Sequence, residues 1–190
     1  MPILFGTIAS SNQQARADTG AMFPLGMVQV GSAGAADITF NSIPSTYTHL
    51  QIRVTARTTT ATSFDAIALQ FNGETSSVYT LHTILGNGSS VVGFASTPET
   101  SIYLDKAGGA SLGSNIFAAI VCDILDYKST SKFKTTRSLG GVDNNGSGVI
   151  HLTSGLWRST NAVSSIKLYA YNGGNFAQYT SIALYGIKGA

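Results

Sequence analysis

Two aspartates, three histidines and one cysteine are the residues best placed to do chemistry in this chain, and their spacing limits what they can do. Asp123 and Asp126 are the carboxylate pair to weigh first. Glycosidic cleavage needs two carboxyls roughly 5–10 Å apart, flanking one bond. Three positions apart on a strand, these two side chains point to opposite faces. The spacing argues against a shared reaction centre; it predicts that Asp126 caps a turn and that Asp123 pairs with a buried polar group. His49, His82 and His151 fall on different predicted strands, with no His-x-x-x-His or Cys/His spacing for a metal. They read as outward-facing strand residues. No Gly-x-Ser-x-Gly elbow offers an activated serine. Asp143-Asn144-Asn145-Gly146 has the composition of a calcium loop but not its spacing or terminal Glu, so it reads as a turn. Gly108-Gly109 and Gly140-Gly141 lack the Lys-Ser/Thr of a phosphate loop. Neither catalytic residues nor a cofactor or metal site is expected.

Cys122 lies in the longest uninterrupted apolar run, Ile116 to Cys122, and reads as a small buried hydrophobe. A single cysteine excludes an intrachain disulfide and suits assembly in a reducing cytosol. The run stops at Asp123, too short to cross a bilayer. The opening Met-Pro-Ile-Leu-Phe-Gly-Thr-Ile has no basic start and is not read as a signal peptide.

Two further groups suit contacts better than chemistry. Lys128, Lys132, Lys134 and Arg137 form the one basic cluster, and Lys132 and Lys134, flanking Phe133, are expected on one strand face. Such a cluster is a solvated face or an electrostatic contact with an acidic neighbour. Tyr47, Tyr103, Trp157, Tyr169, Tyr171, Tyr179 and Tyr185 could stack on sugars, fill a core or line an oligomer interface. Trp157, closing a strand pair, is expected in the core.

The elements that must position these residues read as strands throughout. Leu50, Ile52, Val54 and Ala56 alternate with His49, Gln51, Arg53, Thr55 and Arg57, the period-two pattern of a half-buried strand. Ile38/Phe40 and Ile67/Leu69/Phe71 alternate in the same way. Ile116 to Tyr127 is apolar on both faces, as a strand covered on two sides would be. Asn72-Gly73, Asn87-Gly88, Asn145-Gly146 and Asn172-Gly173 each lie between β-prone segments, and the pair tolerates the positive φ of tight hairpin turns. Hairpins are expected for Lys132–Val142 with Val149–Trp157, and for Val163–Tyr171 with Phe176–Ile187. No amphipathic helix of ten residues or more is evident. The expected fold is an all-β antiparallel sandwich, jelly-roll-like, over residues 28–190. Residues 1–27 show neither period and read as an extended N-terminal arm, in which Ile3, Leu4, Phe5, Ile8 and Phe23 give apolar surface to bury on a neighbour.

Of the 190 residues, 43% are apolar but 11% charged, against a usual share of about 25%. The formal net charge is +2. That is too weak for a duplex-binding footprint, so no nucleic-acid partner is expected. A surface this poor in charge is poorly defended against association and is expected to be covered by protein partners.

Asp126-Tyr127-Lys128-Ser129-Thr130, then Lys132, Lys134 and Thr135, Gly140-Gly141, Asn145-Gly146-Ser147-Gly148, Gly155-Leu156-Trp157 and Leu184-Tyr185-Gly186-Ile187 form an ordered set. As a set, over Ile116–Ile187, it resembles a module of tailed-bacteriophage virion structural proteins. The resemblance implies a β-sandwich particle component, either a capsid decoration (cement) protein or a tail or fibre part, and it carries over no catalytic residue. It implies a location on the virion after synthesis in the host cytoplasm. The implied partners are the major capsid protein or other virion proteins, with a homo-oligomer, a trimer first, and no membrane. A tail part would bind host-surface glycan instead. If Ile3, Leu4, Phe5 and Ile8 grip a neighbour, deleting Met1–Thr19 weakens particle binding without shifting the melting of the domain. Unchanged occupancy on particles after the deletion removes the arm from this account.

Overall fold

The computed structural model describes residues 21–189. Among these the chain forms strands and turns with no helix. The strands are β1 (Met22–Gln29), β2 (Asp37–Phe40), β3 (His49–Ala56), β4 (Phe64–Phe71), β5 (Tyr79–Gly86), β6 (Val91–Glu99), β7 (Ile102–Gly108), β8 (Ala118–Leu125), β9 (Lys134–Asp143), β10 (Gly148–Trp157), β11 (Ile166–Ala170) and β12 (Ser181–Ile187). They form two antiparallel sheets. One has eight strands in the order β1-β12-β3-β8-β9-β10-β5-β6, the other four in the order β2-β11-β4-β7.

The alternation in β3 is borne out: Leu50, Ile52, Val54 and Ala56 are buried. They meet Ile67, Leu69 and Phe71 of β4 and Ile166 and Leu168 of β11 in one continuous core. Trp157 anchors one end of that core, its ring 5.4 Å from Phe71 and 6.4 Å from Tyr79. The Tyr79 hydroxyl accepts from the Phe71 N–H at 3.0 Å and donates to the Glu74 carbonyl at 3.2 Å. Burial pushes its pKa up to about 12.

Four expectations need correction. Residues 22–27, assigned to the arm, belong to β1, which pairs with β12 from Met22↔Ile187 onward. Phe23 is spent within the domain, buried against Tyr47 at 5.4 Å with the Lys188 ammonium 4.8 Å over its ring. Ile3, Leu4, Phe5 and Ile8 lie outside the described residues. Second, β8 is not covered on two sides: Ala118, Ile120, Cys122 and Ile124 are buried, while Val121 and Leu125 are exposed. Third, β11 and β12 are not a hairpin, because the chain changes sheets between them. Asn72-Gly73 likewise turns a corner, from β4 in the small sheet to β5 in the large one. Asn-Gly reports positive φ, present at Asn72, Gly73 and Gly173, and not which strand comes next. Asn87-Gly88 and Asn145-Gly146 do close the hairpins β5–β6 and β9–β10. Fourth, Arg57 does not share the exposed face of β3. Its buried guanidinium donates to the carbonyls of Gly113 at 2.7 Å and Leu112 at 2.8 Å, pinning the loop before β8.

The sheets approach closely where β7 lies under β9 and β10, because the facing positions there are small. A Cβ on Gly155 would sit 2.4 Å from Ile102 Cγ2, and one on Gly140 2.3 Å from Asp105 Oδ2 and 2.8 Å from the Ala119 carbonyl. Overpacking of this kind costs about 1–3 kcal/mol. Gly140→Ala is therefore expected to lower the unfolding free energy by that amount, read as a lower urea midpoint at unchanged m-value, while Gly146→Ala, with open space around it but a left-handed φ of 100°, acts through turn strain alone. A wild-type midpoint for Gly140→Ala would show that the sheets are not in contact at this point.

Candidate interaction surface

Paired residues in adjacent strands share a face, so the registers lay out the outer surface of the large sheet row by row. One row runs Met27–Ala183–Arg53–Val121–Leu139–Leu152–Ile84–Gly93 across all eight strands. Val121, Leu139, Leu152 and Ile84 occupy four consecutive strands, each between 41% and 55% exposed. Ile150, with Gly141 and Gly86 as its flanking partners, continues the apolar surface on one side. On the other side a polar row runs Gln51–Asp123–Arg137–Ser154–His82. Gln51 Nε2 donates to Asp123 Oδ1 at 2.8 Å, and Arg53 Nε donates to Gln51 Oε1 at 3.0 Å. Asp123 thus pairs with a half-buried glutamine on the surface.

The face is furrowed. A groove of about 630 Å³ lies over β5, β6, β9 and β10, with Ile84, Leu152, Gly93, His82 and Arg137 in its walls. A second, of about 530 Å³, follows Gly86, Gly141 and Ile150, and a third, of about 370 Å³, lies between Met27, Val121 and Leu139. Adjacent, mainly apolar depressions, with Arg137 in the wall of the first, Asp143 in the second and Arg53 in the third, suit aliphatic and aromatic side chains of another protein.

The expected basic cluster does not stay together. Lys128 is exposed in the turn after β8. Lys132 is tied at 2.7 Å to Asp126, whose carboxyl that hydrogen bond holds below the usual range. Asp126 does occupy a turn, at φ 47°, and its N–H donates to His49 Nδ1. Lys134 is fully buried, its ammonium donating to the carbonyls of Lys132 at 2.8 Å and Thr160 at 3.2 Å. As an assembly contact Lys134 is overturned: it faces inward and holds the loop after β10. Arg137 remains on the outer face. The aromatics disperse as well. Trp157 is in the core as expected, whereas Tyr103 and Tyr171 pack edge to face at 4.4 Å by the small sheet, with the Tyr103 hydroxyl donating to Glu99 at 3.2 Å.

The acid–base candidates are likewise separate. Among the described residues no three His, Cys, Asp or Glu side chains gather as a metal would require. Nor is there a helix long and apolar enough to cross a membrane. Cys122 is buried, and desolvation pushes its thiol pKa up. His151 is not an outward strand residue. It is buried with its Nδ1 3.8 Å from Oδ1 of buried Asp105, a pairing the sequence reading did not contain. That separation is too long for a hydrogen bond. Asp65 was missed too: it accepts from Thr60 Oγ1 at 2.5 Å and Asn172 Nδ2 at 2.7 Å, bracing the loop that leads into β4 against the turn after β11. No family model matches the chain, and no curated protein matches it.

Burial drives both members of the Asp105–His151 pair to their neutral forms. It raises Asp105 from 3.8 to about 7, against the opposing Lys106 N–H and charge. It lowers His151 from 6.5 to about 4, with the Lys106 charge adding to the effect. A raised acid favours the fold fully below its unfolded pKa, and loses that contribution as pH climbs through about 7. A lowered histidine favours it above 6.5 and loses that contribution as pH falls towards about 4. Across the shared window the folded pair and the unfolded pair hold the same number of protons, so the two slopes cancel. Asp105→Asn is expected to unmask the histidine, making stability rise with pH between about 4 and 6.5 relative to wild type. His151→Gln unmasks the acid and makes stability fall between 3.8 and about 7. Each slope approaches 1.4 kcal/mol per pH unit. Urea melts across this window check both signs, and parallel profiles in all three proteins would dissolve the pair.

Proposed function

We propose that this is a non-enzymatic bacteriophage virion structural protein, a capsid decoration or cement protein that binds neighbouring capsid subunits through the outer face of its large sheet. The observation carrying the reading is the row Val121–Leu139–Leu152–Ile84, an exposed apolar stripe across four adjacent strands. Monomeric proteins rarely leave apolar patches beyond about 300–600 Å² uncovered, and larger ones mark interaction sites. The phage assignment draws on the resemblance over Ile116–Ile187.

The strand orders support the finer fold reading. Set aside the hairpins β5–β6 and β9–β10, and the remaining eight strands run β1-β12-β3-β8 over β2-β11-β4-β7. We read this as a jelly-roll order with two hairpins added to one sheet, an architecture used in viral capsid and lectin domains. Binding then proceeds by many weak contacts engaged together on a particle, where linked sites gain avidity that one site lacks.

A second reading, a tail module gripping host glycan, is favoured by the Tyr103–Tyr171 pair beside Glu99. One comparison separates the two. Leu139→Lys with Leu152→Lys is expected to cut co-sedimentation with empty capsids at least tenfold while leaving thermal stability close to wild type, and Tyr171→Ala to leave capsid binding unchanged. Capsid binding that ignores the lysines removes the sheet face from the proposal; glycan-array binding abolished by Tyr171→Ala establishes the tail reading.

A further inference from the structure

We infer that β6 is a dimerisation edge, at which two copies of this chain pair antiparallel and continue the large sheet across a two-fold axis. The inference stands on the strand itself and does not depend on the capsid reading. β6 terminates the eight-stranded sheet and is bonded along one side to β5, leaving its other row of N–H and C=O groups without a strand partner among the described residues. A free edge of this kind is a template for another chain, and proteins that stay monomeric blunt it with proline, charge, a bulge or a covering loop. The opposite edge, β1, is blunted: it carries Pro24, and its register shifts between Pro24 and Gly26. Between Val91 and Ala95, β6 has neither proline nor charge and keeps an unbroken register; its own register shift, Pro98 and Glu99 come only at its end, after Ser96.

The strand is also apolar on both faces. Val91, at 76% exposed, continues the outer surface, whereas Val92 and Phe94 point to the other side and remain 51% and 46% exposed because no strand of the small sheet lies beneath them. An antiparallel two-fold centred on Gly93 sets Val92 of each copy opposite Phe94 of the other, and Val91 opposite Ala95. Directly opposed side chains lie about 4.5–5.5 Å apart, so the pairing makes two identical Val–Phe contacts with no like charges meeting. An edge-to-edge contact of one strand is small beside the ~1,200–2,000 Å² of a standard interface, so the dimer is expected to be weak and concentration-dependent. The contact is isologous and closes with two copies. It therefore favours an even-numbered assembly over the trimer that the resemblance implies.

Sedimentation velocity over a wide concentration range, together with hydrogen exchange, tests this on the full chain. The wild type is expected to pass from monomer to dimer, with the β6 amides directed away from β5 gaining protection as the dimer fills. Val92→Lys with Phe94→Lys is expected to weaken the dimer at least tenfold, while Leu139→Lys with Leu152→Lys leaves it intact. A wild-type chain that stays monomeric, with unprotected β6 amides at the highest concentration, overturns the inference. So does a dimer that survives lysines at 92 and 94, or one lost with lysines at 139 and 152. The exchange measurement uses the wild type alone, so it decides the question even if a variant misfolds. The capsid reading is measured separately, through the lysine pair at 139 and 152, and can fail without affecting this result.

Discussion

Eight strands face four, and the width mismatch between the two sheets governs the rest of the molecule. A sheet buries one side against whatever layer backs it, and the small sheet is wide enough to back only part of the large one. Where β3, β8 and β12 lie over β4 and β11, the inner residues are fully buried and alternation is clean. Towards β6 the backing runs out, and apolar side chains on both sides of the strand meet solvent. The hairpin β5–β6 and the pair β9–β10 fall on this side of the sheet, so one layer is wider than the other. Extra sheet without extra core is surface, and here that surface is apolar.

The inner side of the extension follows the same constraint in reverse. To seat β7 against β9 and β10, the large sheet presents Thr136, Ser138, Gly140, Thr153 and Gly155 in place of branched aliphatics. Small residues let the backbones approach, and hydroxyls then replace part of the lost apolar contact: Ser138 Oγ donates to the Leu104 carbonyl at 2.5 Å, and Thr83 and Thr153 pair at 2.9 Å. Asp105 and His151 sit in this zone, where burial favours the neutral form of each. This half of the sandwich is held by close approach and a few hydrogen bonds, the other half by hydrocarbon.

Much of this was legible locally and little of it globally. The strands at 49–56 and 64–71 could be read because period two is a property of neighbouring residues. Trp157 as core and Asp126 as a turn residue also follow from local context. The misreadings share a cause. A continuous apolar run such as Ile116–Tyr127 normally means burial on both sides; in this chain Val121 and Leu125 are outward apolar residues, a surface written in the alphabet of a core. The same confusion hid Leu139, Leu152, Ile84 and Ile150, the residues of the candidate surface. His151 and Lys134 failed in the opposite direction, polar side chains turned inward by strand parity to meet partners remote in sequence. Asn172-Gly173 marked a real left-handed glycine but could not say that the chain leaves one sheet for another there.

The scarcity of charge makes sense in this light. A soluble monomer disperses its apolar surface among charged residues, and net charge keeps copies apart. Here the outer sheet face keeps Arg53, Asp123 and Arg137 beside the apolar row, and Gln51 ties up two of the three. Edge and face are at right angles, so they do not compete. Pairing at β6 uses backbone groups in the plane of the sheet, while the row from Val121 to Ile84 stays open along its normal. Joining two copies edge to edge would therefore double the apolar face without consuming any of it. On the proposed capsid reading, a surface doubled in this way would meet a repeating lattice with two linked sites, and the second contact would form at the high effective concentration that tethering provides.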